Sequence, residues 1–138
     1  MTTPPTSEQM STAIQSVLPD AAAAWLYGSA ASGSMNAESD IDIAVLLPPK
    51  DPRQTSWALG QEAQNLGERL HRKVDLVNFL AVSCVLQKEI LNAGKPLFSK
   101  DEFVVANAAL QALGQYRDFN ERNAQEFARI ARTGKVFT

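Results

Sequence analysis

The stretch LYGSAASGSMNAESDIDIAVLL, residues 26–47, sets a glycine–serine pair, a second glycine and a Ser-Asp-Ile-Asp cluster between two apolar runs. SDIDIAVLL (39–47) reads as a strand from its isoleucines and valine, and Pro48-Pro49 stops it. Successive strand side chains point to opposite faces, so Asp40 and Asp42 share one face, about 7 Å apart at ~3.3 Å per residue. Ile41 and Ile43 take the other face and anchor the strand in a core. Two carboxylates this close repel, and each is costly to keep charged without a partner. Edge-strand charges that block aggregation would account for the aspartates alone, but not for the Gly28-Ser29 pair at this spacing.

A divalent cation resolves the repulsion. Mg2+ is hard, prefers oxygen ligands and is typically held by one or two carboxylates plus substrate phosphates. A two-metal site needs a further carboxylate. Asp75 is the candidate, flanked by Val74 and Leu76 in the strand-like KVDLVNFL (73–80). The turn at Gly28-Ser29 supplies the other half of the site. Its small residues let backbone N–H groups approach a phosphate, and the Ser29 hydroxyl adds a hydrogen bond. A helix beginning at or just before ASGSMN (31–36) would present its N-terminus to the same anion. Phosphates beside carboxylates need a metal between them, so the constellation points to a nucleoside triphosphate with Mg2+.

Outward from this stretch, the 138 residues read as one domain of α/β (α+β) class, with a flexible tail at 1–5. Thr6 and Gln9 have capping-box spacing ahead of a helix over 7–18, and Pro19-Asp20 ends it. The second half of AAAAWLY (21–27) reads as a strand. Helices are expected at 53–71, on a Leu59, Ala63, Leu66, Leu70 stripe, and at 81–93. The second carries Val82, Val85, Leu86 and Ile90 and closes at Gly94. KPLFS (95–99) suits a short edge strand. From 101 to 132 the pattern is helical, with a break expected near Gly114. Trp25, Trp57 and Cys84 read as core, and His71 with Arg72 and Lys73 as helix-end cations. Arg122, Arg129 and Arg132, interleaved with Asp118, Glu121 and Glu126, read as a solvated face, with a docking face for a partner as the alternative.

Formal net charge is −2, which argues against a bulk electrostatic nucleic-acid binder. No apolar run approaches the ~18 residues of a membrane helix. The first ten residues do not read as a secretory signal, and the single cysteine excludes an internal disulfide. A cytoplasmic protein is the expectation.

GSAASGSMNAESDID (28–42) resembles the signature G-S-x-A-x-G-x5-S-D-x-D of the DNA polymerase β-like nucleotidyltransferases, with Gly28, Ser29, Ala31, Gly33, Ser39, Asp40 and Asp42 in register. VDLVNFLAVSCVLQKEILNAGKPLFS (74–99) extends the resemblance to the minimal nucleotidyltransferase antitoxins, over about residues 20–132. The resemblance implies a nucleotidyltransferase fold: a small mixed sheet flanked by helices, with a C-terminal helical segment. It implies that Asp40, Asp42 and Asp75 hold two Mg2+ ions, and that Gly28, Ser29, Gly33 and Ser39 bind the nucleotide. It also implies a partner, a HEPN-domain ribonuclease toxin in a hetero-oligomer, whose tyrosine receives AMP from ATP.

One departure stands out. Ala30 and Ser32 occupy positions where many members of that family carry basic residues. Length adds an argument independent of the family. After a nucleotide-binding core of about 100 residues, too little chain remains for a domain that binds a small acceptor. The acceptor is then expected to bring its own folded surface. Two alternatives stay open: an antitoxin that acts by occlusion with little turnover, and a nucleotidyltransferase acting on a small molecule or an RNA end.

Overall fold

In the computed structural model, which describes residues 4–33, 40–49, 51 and 59–135, four strands form one sheet. They are β1 (Ala23–Tyr27), β2 (Ile41–Leu46), β3 (Val74–Asn78) and β4 (Lys95–Ser99), in the spatial order β3-β2-β1-β4. β1 runs antiparallel to β2 and β4, whereas β2 and β3 are parallel. The sheet is therefore mixed, as expected. β2 lies inside it, and of its six residues only Asp42 is not buried. β4 is an edge strand, where Pro96 costs no ladder hydrogen bond that a neighbour needs.

Helices cover both faces. On one side α1 (Ser7–Val17) and α3 (Gly60–Leu70) pack over Leu26, Ile41, Ile43, Val45 and Leu76. The α1 capping box forms: the Gln9 N–H donates to Thr6 Oγ1 at 3.1 Å, and the Thr6 N–H donates to Gln9 Oε1 at 2.8 Å. The α3 stripe is also as read, with Leu59 and Leu66 fully buried and Ala63 and Leu70 packed at the margin. Residues 52–58, including Trp57 and the start of that expected helix, lie outside the described residues.

On the other side α4 (Cys84–Ala93) packs on the sheet and α5 (Glu102–Thr133) packs on α4. Trp25 and Phe79 meet there at 5.1 Å between ring centroids, beside Ala44, Leu46, Ile90, Ala108 and Ala112. A 3-10 turn, Phe79–Ala81, separates β3 from α4. Gln87, buried in α4, donates from Nε2 to the Phe79 carbonyl at 2.8 Å, and Asn78 Oδ1 accepts from the Leu80 N–H at 3.2 Å. These bonds fix the corner that follows Asp75.

Four expectations need correction. α4 starts at Cys84, not 81, because Ser83 caps it by accepting from the Leu86 N–H. Val85, assigned by spacing to the buried stripe, is 47% exposed, and Cys84, at the first turn, is only half-buried. The break near Gly114 does not occur: α5 continues through it. A glycine in a helix interior costs only about 1 kcal/mol against alanine, too little to interrupt a packed 32-residue helix.

A Cβ at Gly114 would meet nothing within 4 Å. Gly114→Ala is therefore expected to stabilise the chain by about 0.5–1 kcal/mol, raising Tm by ~2–5 °C in thermal melts. An unchanged or lower Tm would refute the unbroken helix. Among the described residues no helix is long and apolar enough to cross a membrane.

Candidate active site

At the end of β1 the chain turns sharply. Gly28 has φ +69° and ψ −146°, a conformation open to glycine alone. A Cβ there would lie 2.5 Å from Asp42 Oδ2, so the turn packs its backbone directly against that carboxylate. The short helix α2 (Ser29–Ser32) follows at once, and Gly33 closes it in the left-handed region at φ +78°. The Ser32 side chain turns back to donate to the Ser29 carbonyl at 3.1 Å. The expected helix after the Gly-Ser pair is therefore present, one turn long, and it carries no acidic or basic residue in its end turns.

Strand pairing brings the carboxylates together. Tyr27 sits opposite Asp42 across the β1–β2 ladder, and Asp42 sits opposite Asp75 across the β2–β3 ladder. Directly paired residues share a face, so Tyr27, Asp42 and Asp75 form one row across three strands. Asp40 precedes β2 by one residue and, by alternation, lies on the same side. It is exposed, and Lys73 Nζ approaches its Oδ2 at 3.7 Å. Ile41 and Ile43 are fully buried on the opposite face, as expected. Ser39 lies outside the described residues, as do 34–38.

The electrostatics record the crowding. Burial, then the charge of Asp75, then that of Asp40, raises the Asp42 pKa above the ordinary carboxylate value. Tyr27 is pushed up to about 12 by burial first and then by Asp42, Asp75 and Glu89. Its phenol stays protonated at neutral pH and adds no charge to the row.

Three all-oxygen donors whose charges repel one another suit a hard divalent cation. The donor chemistry of Asp40, Asp42 and Asp75 thus fits Mg2+. They stand as neighbours and not as a closed cage: among the described residues no three His, Cys, Asp or Glu side chains enclose a common metal position.

Three residues near the row escaped the reading of the sequence as site residues. Tyr27 could have been found, since strand alternation places it on the Asp42 face once β1 and β2 are paired. Lys73 was read only as part of a helix-end cluster. Glu89 carried no signal, because an exposed glutamate on an amphipathic helix is the ordinary case. It lines a cleft of about 300 Å3 with Tyr27, Gly28, Ser32, Ala93 and Gly94.

The sequence profile of the family described as Polymerase beta, Nucleotidyltransferase matches residues 9–103. The protein adenylyltransferase MntA of Shewanella oneidensis is 36% identical over 78 residues, which make up 56% of this chain and 54% of that relative. The match thus spans about half the relative's length. A chain of a toxin–antitoxin complex solved with AMP-PNP superposes with a TM-score of 0.74 at 24% identity, over 92% of this chain and 99% of the other. Another is from a complex of tri-AMPylated Shewanella oneidensis HEPN toxin with MNT antitoxin, with a TM-score of 0.67 at 24% identity, over 91% and 99% of the two chains. These likenesses establish the fold.

Proposed function

The chain belongs to the polymerase β nucleotidyltransferase family, and from that premise we propose that it is an antitoxin acting as a protein adenylyltransferase on a HEPN-domain toxin. The observation that carries the reading is the row in which Asp42 and Asp75 stand side by side with the Gly28 turn packed against Asp42. A tyrosine hydroxyl of the partner attacks the α-phosphorus of ATP. The new phosphorus–oxygen bond forms as the bond to the bridging oxygen breaks, and pyrophosphate leaves. Asp75, the exposed member of the row, faces the entering phenol and takes its proton. Gly28, Ser29 and Gly33 shape the turn that holds the triphosphate. Lys73, beside Asp40, offers it a cation that α2 lacks. Two Mg2+ ions held by Asp40, Asp42 and Asp75 would supply the positive charge that such a transfer needs at its entering and leaving oxygens. Ser39, by the motif, completes the nucleotide site.

A folded protein acceptor is supported by α5. Phe103 and Leu110, seven residues apart on one helical face, are 83% and 69% exposed. The MntA relative, by its name, acts on a protein, and similar chains occur in complexes with HEPN toxins.

The test is the intact mass of a HEPN-domain partner co-expressed with this chain. The expected result is a gain in whole units of AMP, which also counts how many are added. A second reading, neutralisation by occlusion, is favoured by the absence of basic residues on α2. Copurification and protection of growth without any gain in mass would replace the first reading with the second.

A further inference from the structure

The cleft beside the row has a wall that cannot be filled. A Cβ on Gly94 would collide with the Ile90 carbonyl oxygen and come within 3.3 Å of the Leu26 carbonyl oxygen. Gly28 is equally closed to side chains, by its contact with Asp42. Between these two glycines lie the Tyr27 ring, Ser32, Ala93 and Glu89, around a space of about 300 Å3. This is the low end of the range for small-molecule sites.

We infer that this cleft is the ribose subsite of the nucleotide site and that Glu89 accepts hydrogen bonds from the sugar's 2′- and 3′-hydroxyls. The inference rests on the reading of the chain as an ATP-dependent transferase and adds a residue to it. Its first support is position. The α-phosphorus must lie at Asp42 and Asp75, and the ribose is the group bonded next to it through the 5′-oxygen. The cleft starts at Tyr27 and Gly28, the residues that adjoin Asp42. Its second support is charge. Among the described residues Glu89 is the one acidic side chain of the lining, and none of them is a cation. A carboxylate repels the triphosphate, so the phosphates belong on the other side of Gly28, towards Ser29. It attracts hydroxyl donors, and it binds a ribose diol in the way that acidic residues of other nucleotide sites do.

The experiment is titration calorimetry with the Mg2+ complexes of ATP, 2′-deoxy-ATP and 3′-deoxy-ATP, without acceptor. Wild type is compared with Glu89→Gln and Glu89→Ala, and AMP transfer to the partner is followed in parallel. Wild type is expected to bind ATP about 10-fold more tightly than either deoxy form, as the loss of a hydrogen bond to a charged group implies. Glu89→Ala is expected to weaken each deoxy form, which keeps one hydroxyl, by about 10-fold and ATP, which loses both bonds, by about 100-fold, which brings the ratio to about 1. Glu89→Gln, which keeps one acceptor oxygen, should fall between. A ratio unmoved by Glu89→Ala, in a chain that still transfers AMP, overturns the ribose subsite alone. A change confined to the preference for ATP over GTP also overturns it, in favour of contact with the base. If wild type neither binds nor uses ATP, both the subsite and the reading beneath it fall.

Discussion

Replacing Asp40 and Asp42 together by asparagine is expected to reduce AMP transfer to the partner by roughly 10^3-fold or more, with the fold and the complex intact. Asparagine has nearly the same shape, Asp40 is exposed and Asp42 only half-buried, so packing does not change. What changes is charge: the row loses its attraction for Mg2+ and so for the triphosphate. Intact mass and copurification of the partner separate the two effects. If the partner still gains AMP at the wild-type rate, the assignment of the site is wrong. The single change Asp42→Asn carries a second, opposite expectation. The charged form of Asp42 is disfavoured in the folded chain, by burial and then by Asp75 and Asp40. Its folded pKa lies above its unfolded value, so the native chain holds the proton more tightly. The cost of ionising it is absent at low pH. It grows as pH rises from the ordinary carboxylate range through the raised value, and it is fully present above that. Asp42→Asn removes the cost, so the metal-free chain should melt higher at neutral pH, by about 1–3 °C after allowance for solvent screening. Added Mg2+ should stabilise wild type and not the variant. At subsaturating Mg2+, transfer by wild type should also fall on the acid side before pH reaches the ordinary carboxylate range, since the proton competes with the metal for Asp42.

This conflict between stability and charge is also why the candidate site was legible. Two aspartates in a run of isoleucines and valines contradict the strand that carries them, and such contradictions mark function. The strands were legible for the complementary reason: residues 43–47 are apolar on both faces because β2 is interior to the sheet. Other features depended on pairing, which local pattern does not specify. Nothing in residues 73–80 alone says that β3 runs parallel to β2 in the register that sets Asp75 beside Asp42. The out-of-place charge of Asp75 between Val74 and Leu76 suggested that grouping, and the family resemblance implied it too. Glu89 needed more still. It reaches the cleft only because α4 packs on the sheet with its C-terminal end near the Gly28 turn, a tertiary fact without a sequence pattern. Gly114 shows the reverse error, a local breaker overruled by helix packing on either side of it.

Gly28→Ala should cost about 100-fold in transfer and about 1–3 kcal/mol in stability, a Tm loss of ~3–10 °C, and the two losses have different origins. The stability loss comes from the backbone. At φ +69° and ψ −146° any Cβ is strained, and the turn must hold that shape to lead β1 into α2. The activity loss comes from the carboxylate. A methyl group 2.5 Å from Asp42 Oδ2 is relieved most easily by rotating the Asp42 side chain, since a side-chain terminus moves more readily than strand backbone. That rotation takes Asp42 out of the row it shares with Asp75. Gly33 provides the control. It too has positive φ, but at ψ 8° in the left-handed region that asparagine tolerates, and a Cβ there meets nothing within 4 Å. Gly33→Asn should therefore retain most of the stability and most of the transfer. Thermal melts and initial transfer rates on the two variants decide the matter. If Gly28→Ala loses stability but transfers AMP at the wild-type rate, close approach of the turn to Asp42 is not part of the mechanism. If both variants lose activity equally, the backbone shape of the whole Gly28–Gly33 turn, and not the carboxylate contact, is what the nucleotide requires.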